Sequence, residues 1–203
     1  MQHLNLDDLG QYSDVVLSRS GAAVTVRFVE LHDADALQAY FRGLSVRSRY
    51  NRLMGAASEL PAGQLDKFIH VGEADSFSVV ATISRDVSET IVGEARYAFD
   101  EATSRFELGL SVADSMQGQG IGAALLSNLE CRAAALGADQ LFGDTLRSNE
   151  AMLALARKAG FTFAPTLGDW KQVRFVKQID AAPTANPCAV WRLAAQSLQP
   201  ILA

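Results

Sequence analysis

The stretch "MQGQGIG" at residues 116–122 constrains this chain most, because its glycines at 118, 120 and 122 separate two patterns of different period. Before it, "FELGLSV" alternates as a half-buried strand does. After it, Leu125, Leu126, Leu129, Ala133 and Leu136 recur at helical spacing until Gly137, a helix stop. A strand must therefore pass into a helix through nearly bare backbone. A helix leaves its first four N–H groups unsatisfied and gathers about half a positive charge at that end, so the junction suits phosphate. Glycine at alternate positions removes the Cβ atoms that would hold a phosphate away, and opens positive φ to the loop. A flexible surface turn is the plain alternative, but such a turn rarely needs three alternate glycines and no proline.

The same two periods read the rest of the chain. In "AVTVRFVE", Val24, Val26 and Phe28 share one face of a strand, and Asp33 then sits at an N-cap position before a helical stripe of Ala36, Leu37, Tyr40, Phe41 and Leu44. A short helix, "SVRSRYNRLM", follows, and another begins after Pro61 through Leu65 and Phe68. From Ser76, "SFSVVATI", "TIVGEARYAF" and "RFELGLSV" read as an antiparallel meander. Beyond the glycine loop and its helix come the strand "QLFGDT", the helix "NEAMLALARKAG", and the strands "FTFA" and "WKQVRFVKQI". This order predicts an α/β (α+β) fold, a mixed central β-sheet of about six to seven strands with helices on both faces. Residues 1–20 are expected to form a loosely ordered arm and residues 21–180 the domain. Residues 181–203 read as a Pro/Ala-rich tail with a short amphipathic segment.

Composition removes several functions. A net charge of −5 gives no basic field for nucleic-acid phosphates. No apolar run approaches the ~18 residues of a membrane span, and "MQHLNLDDLG" lacks the form of a signal peptide, so a cytoplasmic protein is expected. Cys131, Cys188 and three scattered histidines have no ligand spacing, so neither a metal site nor a disulfide framework is expected.

Three phosphate-binding readings compete for the loop. A P-loop needs Lys and then Ser or Thr after the last glycine, where this chain has Ala123 and Ala124. A dinucleotide fold formally accepts Gly118, Gly120 and Ala123, with Asp139 downstream. That fingerprint normally follows its strand at once and opens a parallel sheet, whereas here "ADSMQ" intervenes after a meander and Asp139 precedes the next strand. The third reading is a resemblance. Gln117, Gly120 and Gly122 match the Q/R-x-x-G-x-G/A loop of the GNAT superfamily of acyl-CoA-dependent N-acyltransferases, and "SNEAMLALARKAGF" resembles its helix N-x-x-A-x-x-L-Y-x-K-x-G-F. "VRFVELHDADALQAYFRGLSVRSRYNRL" and "FELGLSVADSMQGQGIG" are similar to the acyltransferase domain of bacterial protein lysine acetyltransferases, and the likeness runs from Val24 to Ile179.

The resemblance implies a GNAT fold and acetyl-CoA as co-substrate, without a metal. It implies that Gln117, Gly118, Gln119, Gly120, Ile121 and Gly122 cradle the pyrophosphate and that Asn149 contacts the pantetheine arm, while also serving as N-cap of its helix. Backbone groups of Leu110, Ser111 and Val112 would pair with pantetheine in a slot opened by a bulge at Gly109. The acceptor would be a primary amine, a protein lysine or a small molecule; neither nucleic acid nor membrane is an expected partner, and a homodimer remains an open option. An amine of pKa about 10.4 is deprotonated at neutral pH at a cost of roughly 4 to 5 kcal/mol, so a base is needed. Glu107 falls where the lysine acetyltransferases carry their catalytic glutamate; the alternative is a solvent-facing strand residue. Ala156 stands where the family often has the tyrosine that protonates the leaving thiolate, so that role has no heir. Arg47, Arg49 and Arg52 either form a solvated face or border the acceptor, and Trp170 is wall or core. The rival from another class is a non-catalytic acyl-CoA-binding sensor, which needs no base.

Overall fold

Alternating burial builds the sheet in the computed structural model, which describes residues 13–71, 76–85, 88–166 and 168–179. The strands are β1 (Asp14–Leu17), β2 (Ala23–Phe28), β3 (Ser76–Arg85), β4 (Ser88–Asp100), β5 (Arg105–Val112), β6 (Gln140–Leu146), β7 (Thr162–Pro165) and β8 (Gln172–Gln178). They form one eight-stranded sheet in the order β1-β2-β3-β4-β5-β6-β8-β7. The β5–β6 pair is parallel and every other pair antiparallel, so the mixed sheet expected from the element order is present. The helices are α1 (Ala34–Gly43), α2 (Val46–Leu53), α3 (Ala62–Ile69), α4 (Ile121–Ala135) and α5 (Glu150–Lys158).

Two cores lie on opposite faces. On one, Val24, Val26 and Phe28 of β2 join Tyr97, Phe106, Leu108 and Phe175 beneath Leu125, Leu126 and Leu129 of α4 and Ala156 of α5. On the other, Leu37, Tyr40 and Phe41 of α1 and Phe68 of α3 cover Val80 and Ile91. Removing a fully buried leucine such as Leu125 from this packing costs about 2–5 kcal/mol. Helix α2 buries no residue completely and serves instead as a wall of the cavity described below.

Four expectations need correction. Within the arm expected at 1–20, Asp14–Leu17 form β1, antiparallel to β2, and supply the eighth strand. Asp33 makes no side-chain cap bond to α1: its carboxylate accepts two hydrogen bonds from Arg27, at 2.7 and 2.8 Å, and one from Glu30 N–H. The bulge expected at Gly109 is not there, since β5 pairs with β4 in unbroken register and the irregularity lies between β3 and β4, where Val92 of β4 is the extra residue opposite Ala81 and Thr82. Cys131 is buried on α4 and disulfide-bonded, against the expectation of none. Residues 1–12 and the tail at 181–203, Cys188 included, lie outside the described residues.

Candidate active site

The slot forms where β5 and β6 part. Their parallel ladder holds only Arg105–Glu107 against Gln140–Phe142 and then ends. Gly143 marks the point of closest approach: a Cβ there would lie 2.5 Å from the Leu108 carbonyl oxygen and 2.4 Å from the Phe175 ring. Beyond it, β5 continues to Val112 with β4 on one side and, among the described residues, no strand on the other, which leaves an edge of backbone donors and acceptors to pair with an extended amide chain. Gln117 Nε2 reaches back to the Val112 carbonyl at 3.2 Å and so ties the loop to this edge.

A cavity of about 950 Å³ occupies the slot and its mouth. Gln117, Gly118, Gly120 and Gly122 line one end, Leu110, Ser111 and Val112 the floor, Met152 and Leu155 of α5 one wall, and Ser48, Asn51 and Arg52 of α2 the other. Gly118 and Gly120 have φ of +77° and +90°, which a side chain tolerates poorly. Gly120 caps α4, and Ala124 N–H donates to the Gly120 carbonyl at 3.0 Å to close the first turn. The N–H groups of the first turn are thus left for a ligand, the arrangement that accepts phosphate. At Gly122 a Cβ would press on Leu155 at 3.3 Å, so that glycine allows α4 and α5 to approach.

Asn149 lines the cavity and caps α5, accepting from Met152 N–H at 3.3 Å and donating to Thr145 Oγ1 at 3.1 Å. Of the ten residues expected to hold the co-substrate, Gln119 and Ile121 are not among its lining. Ile121 turns its side chain into the core, and Gln119 gives its carbonyl to Arg19 N–H at 2.8 Å.

Several lining groups escaped the sequence reading. Arg19, in the β1–β2 turn, donates from Nη1 to the Gly118 carbonyl at 3.1 Å. Together its two bonds hold loop carbonyls that would otherwise repel a phosphate. Asp114 clamps α2 to the end of β5, accepting from Ser45 N–H and Oγ at 2.8 Å each and from Ser48 Oγ at 2.7 Å. Burial pushes the Asp114 carboxyl up, but the bonds from Ser45 and Ser48 outweigh it and hold it below the usual range. Under the floor, Ser111 Oγ donates to Glu94 at 2.5 Å and lies 3.0 Å from the Tyr40 hydroxyl, while Arg52 forks onto Glu94 at 2.6 and 3.0 Å. Glu94 is fully buried. Burial, reinforced by the Glu94 charge, raises the Tyr40 hydroxyl far above its usual range, so it acts as a neutral hydrogen-bonding group. No local pattern announces contacts between residues 17 to 99 positions apart in the chain.

The three arginines of α2 divide. Arg47 is exposed at the cavity, Arg49 donates to the carbonyls of Phe41, Arg42 and Leu44 that end α1, and Arg52 is the half-buried partner of the buried Glu94. Glu107 is exposed on β5 and outside the cavity lining, on the face that also carries Gly109, Ser111 and the Arg52–Glu94 pair. Gly109 is glycine because Arg52 crosses it: a Cβ would lie 3.3 Å from its guanidinium. Ala156 is fully buried in the core and does not line the cavity, and Trp170 is 80% exposed. Among the described residues there is no metal-ligating cluster, and no helix is long and apolar enough to cross a membrane.

Comparison with known proteins agrees with this geometry. The family model described as "Acetyltransferase (GNAT) family" matches residues 45–161. The acetyltransferase PA5475 of Pseudomonas aeruginosa is 28% identical over 141 residues, which cover 70% of this chain and 76% of that protein. Among solved structures, the GNAT domain of S. lividans PAT superposes with a TM-score of 0.75 at 23% identity, over 82% of this chain and 97% of that one. Spermidine N-acetyltransferase from Vibrio cholerae, solved with CoA and spermine, superposes with a TM-score of 0.63 at 14% identity, over 76% and 95%.

Proposed function

Because the chain belongs to the acetyltransferase (GNAT) family, whose members use acetyl-CoA, we propose that it transfers an acetyl group to a primary amine by direct attack, with Glu107 as general base. The observation that carries this reading is the continuity of the cavity from the glycine loop, through the slot beside β5, to Arg52 and Ser111. Glu107 stands two and four residues before Gly109 and Ser111 on that same face. In this reading the loop and the α4 N-terminus hold the pyrophosphate, and the free edge of β5 pairs with pantetheine. The amine nitrogen attacks the thioester carbonyl, the carbon–sulfur bond breaks, and the amine proton passes to the Glu107 carboxylate directly or through one water. The thiolate leaves unaided; a thiol of pKa near 8.5 is a fair leaving group, which suits a chain with no tyrosine at 156. The acceptor is a protein lysine or a small-molecule amine.

Glu107→Gln keeps shape and hydrogen-bonding reach but removes the basic site. Acetyl-CoA affinity is expected to stay unchanged while kcat falls about 10²- to 10⁴-fold at neutral pH, the deficit shrinking as pH rises toward the acceptor's pKa. Acetylation rates across pH, with binding measured in parallel, test this, and equal rates for both proteins at every pH would remove Glu107 from the mechanism. The exposure of Glu107 outside the cavity lining favours one rival, a sensor that binds acyl-CoA without chemistry. Binding of acetyl-CoA with no acetylation of any amine would establish that rival.

A further inference from the structure

On the face that carries Glu107, two cations, Arg96 and Arg105, are half-buried without an ion pair among the described residues, and Arg105 donates from Nε to Gln140 Oε1 at 3.0 Å. Arg96 on β4 donates from Nε to Ser76 Oγ at 2.9 Å, and its guanidinium lies 5.6 Å from the Phe68 ring centre. Among the described residues no carboxylate reaches ion-pair distance of it, whereas Arg27, Arg52 and Arg174 are each tied to one. The charges around it are Arg52, which repels it, and Glu107 and Glu94, each of which attracts it more weakly. Glu94 already accepts from both Arg52 and Ser111. Burial first, then the Arg52 charge, pulls the Arg96 guanidinium below its usual range. A partly desolvated guanidinium with spare donors and a like charge beside it is costly to hold, and an incoming anion relieves that cost.

Register fixes where such an anion would sit. Arg96 faces Gly109 across the β4–β5 ladder, and Glu107 faces Ala98, so Arg96 and Glu107 are diagonal neighbours on one face, about 7–8 Å apart at the backbone. On the other side of Glu107, the guanidinium groups of Arg105 and Arg174 lie 4.4 and 4.5 Å from the ring centre of Phe142, the residue paired with Glu107. The Asp144 carboxylate holds Arg174 at 2.6 Å. Glu107 is therefore flanked by basic side chains, and a polyamine would meet Arg96, Arg105 and Arg174 as it approached. An amine with a carboxylate close by meets a base and an unpaired guanidinium together.

We propose that Arg96 is an anion-recognising residue of the acceptor site, and that the preferred acceptor is a primary amine with a carboxylate near the reacting nitrogen. The inference rests on the reading of Glu107 as the base. Two sources share this chemistry, a lysine beside an acidic residue in a peptide and a free amino acid, and the test separates them.

Acetylation is measured on matched pairs in two arms, a lysine peptide with Glu or Gln beside the lysine, and an ω-amino acid against its amide. Wild type is expected to favour the carboxylate member by about tenfold or more in kcat/KM in the arm that contains the natural acceptor class. Arg96→Gln brings that ratio near one by raising KM for the carboxylate member alone, and Arg96→Lys keeps part of it. The wild-type preference also declines with added salt, which tests the charge without any variant. Amines acetylated with no preference in either arm, or a preference that survives in Arg96→Gln, overturn this inference and leave the proposed function standing. Acetyl-CoA binding without acetylation of any of these amines overturns this inference, and the same result across a wider panel of primary amines overturns the proposed function with it.

Discussion

The single residues proposed to hold the co-substrate divide sharply in how visible they are in the sequence. Gly118 and Gly120 could be read directly, since alternate glycines between a strand and a helix announce positive φ, which both adopt. Asn149 could be read as an N-cap on a different ground, its capping side chain preceding an apolar stripe. Arg19 could not. It lies in a stretch without periodicity, and its bond to Gly118 spans 99 positions. Arg19→Ala is expected to leave the fold intact, since the side chain is exposed, and to weaken acetyl-CoA binding about tenfold, the scale of a hydrogen bond to a charged group. Thermal shift offers the readout. Saturation at about a hundred times Kd contributes roughly 2.7 kcal/mol, or about 5 to 10 °C for a domain of this size. Arg19→Ala at the same ligand concentration should shift by visibly less, with Gly120→Val, strained at φ +90°, shifting hardly at all. An unchanged shift in Arg19→Ala would confine that arginine to the surface.

Strands and helices were legible wherever one face is buried, because burial imposes the period that the sequence then displays. The stripe of α1 and the alternation of β2 and β5 are such cases. β1 hid because it is a four-residue edge strand, with Val15 and Leu17 exposed on it, too short to show a period. The supposed bulge at Gly109 went astray for a different reason: a glycine inside a strand reports that something comes close, and here the visitor is the Arg52 side chain instead of a kink in the backbone. Gly143 carries the message that Gly109 was credited with, since β5 and β6 part beside it. Gly143→Ala would force its methyl into the Leu108 carbonyl, a backbone atom that cannot yield without opening the sheet. The expected loss is about 1–3 kcal/mol by urea unfolding, together with weaker acetyl-CoA binding as the slot is deformed. Stability equal to wild type would show that the ladder slides to make room.

Across the whole molecule, the charges that fasten the layers are carboxylates, and this fixes how the protein responds to acid. Arg27 of β2 binds Asp33 before α1 and Glu89 of β4, Asp114 holds α2 to the end of β5, and Asp144 joins β6 to Arg174 of β8 and to Thr166. The Glu89 carboxyl is held below its usual range, first by the Arg27 hydrogen bond. Those of Asp33 and Asp144 are pushed up by burial but pulled lower still by Arg27 and by Arg174 with Thr166. A carboxyl whose folded-state pKa is depressed contributes stability that is present above the unfolded value near 4 and is lost as pH falls through the folded one. Asp14 has the opposite sign, raised by burial, so its contribution is lost as pH rises; it is one residue against five, Asp100 at the end of β4 being lowered too, first by its hydrogen bond from Thr103. Stability should therefore change little between about pH 6 and 8 and fall steeply below about pH 4. The cavity should fail with it, because the Asp114 clamp holds one of its walls. Asp33→Asn isolates the effect at the most buried of these seams, where removing one partner of a buried pair costs about 3 kcal/mol at neutral pH. As pH drops through the Asp33 titration the wild-type carboxyl becomes neutral too, so the gap between the two proteins must close. Unfolding followed by denaturant at a series of pH values measures that gap, and one that stays constant from pH 7 to pH 3 would mean that the Arg27–Asp33 charge pair contributes nothing to the acid sensitivity of the fold.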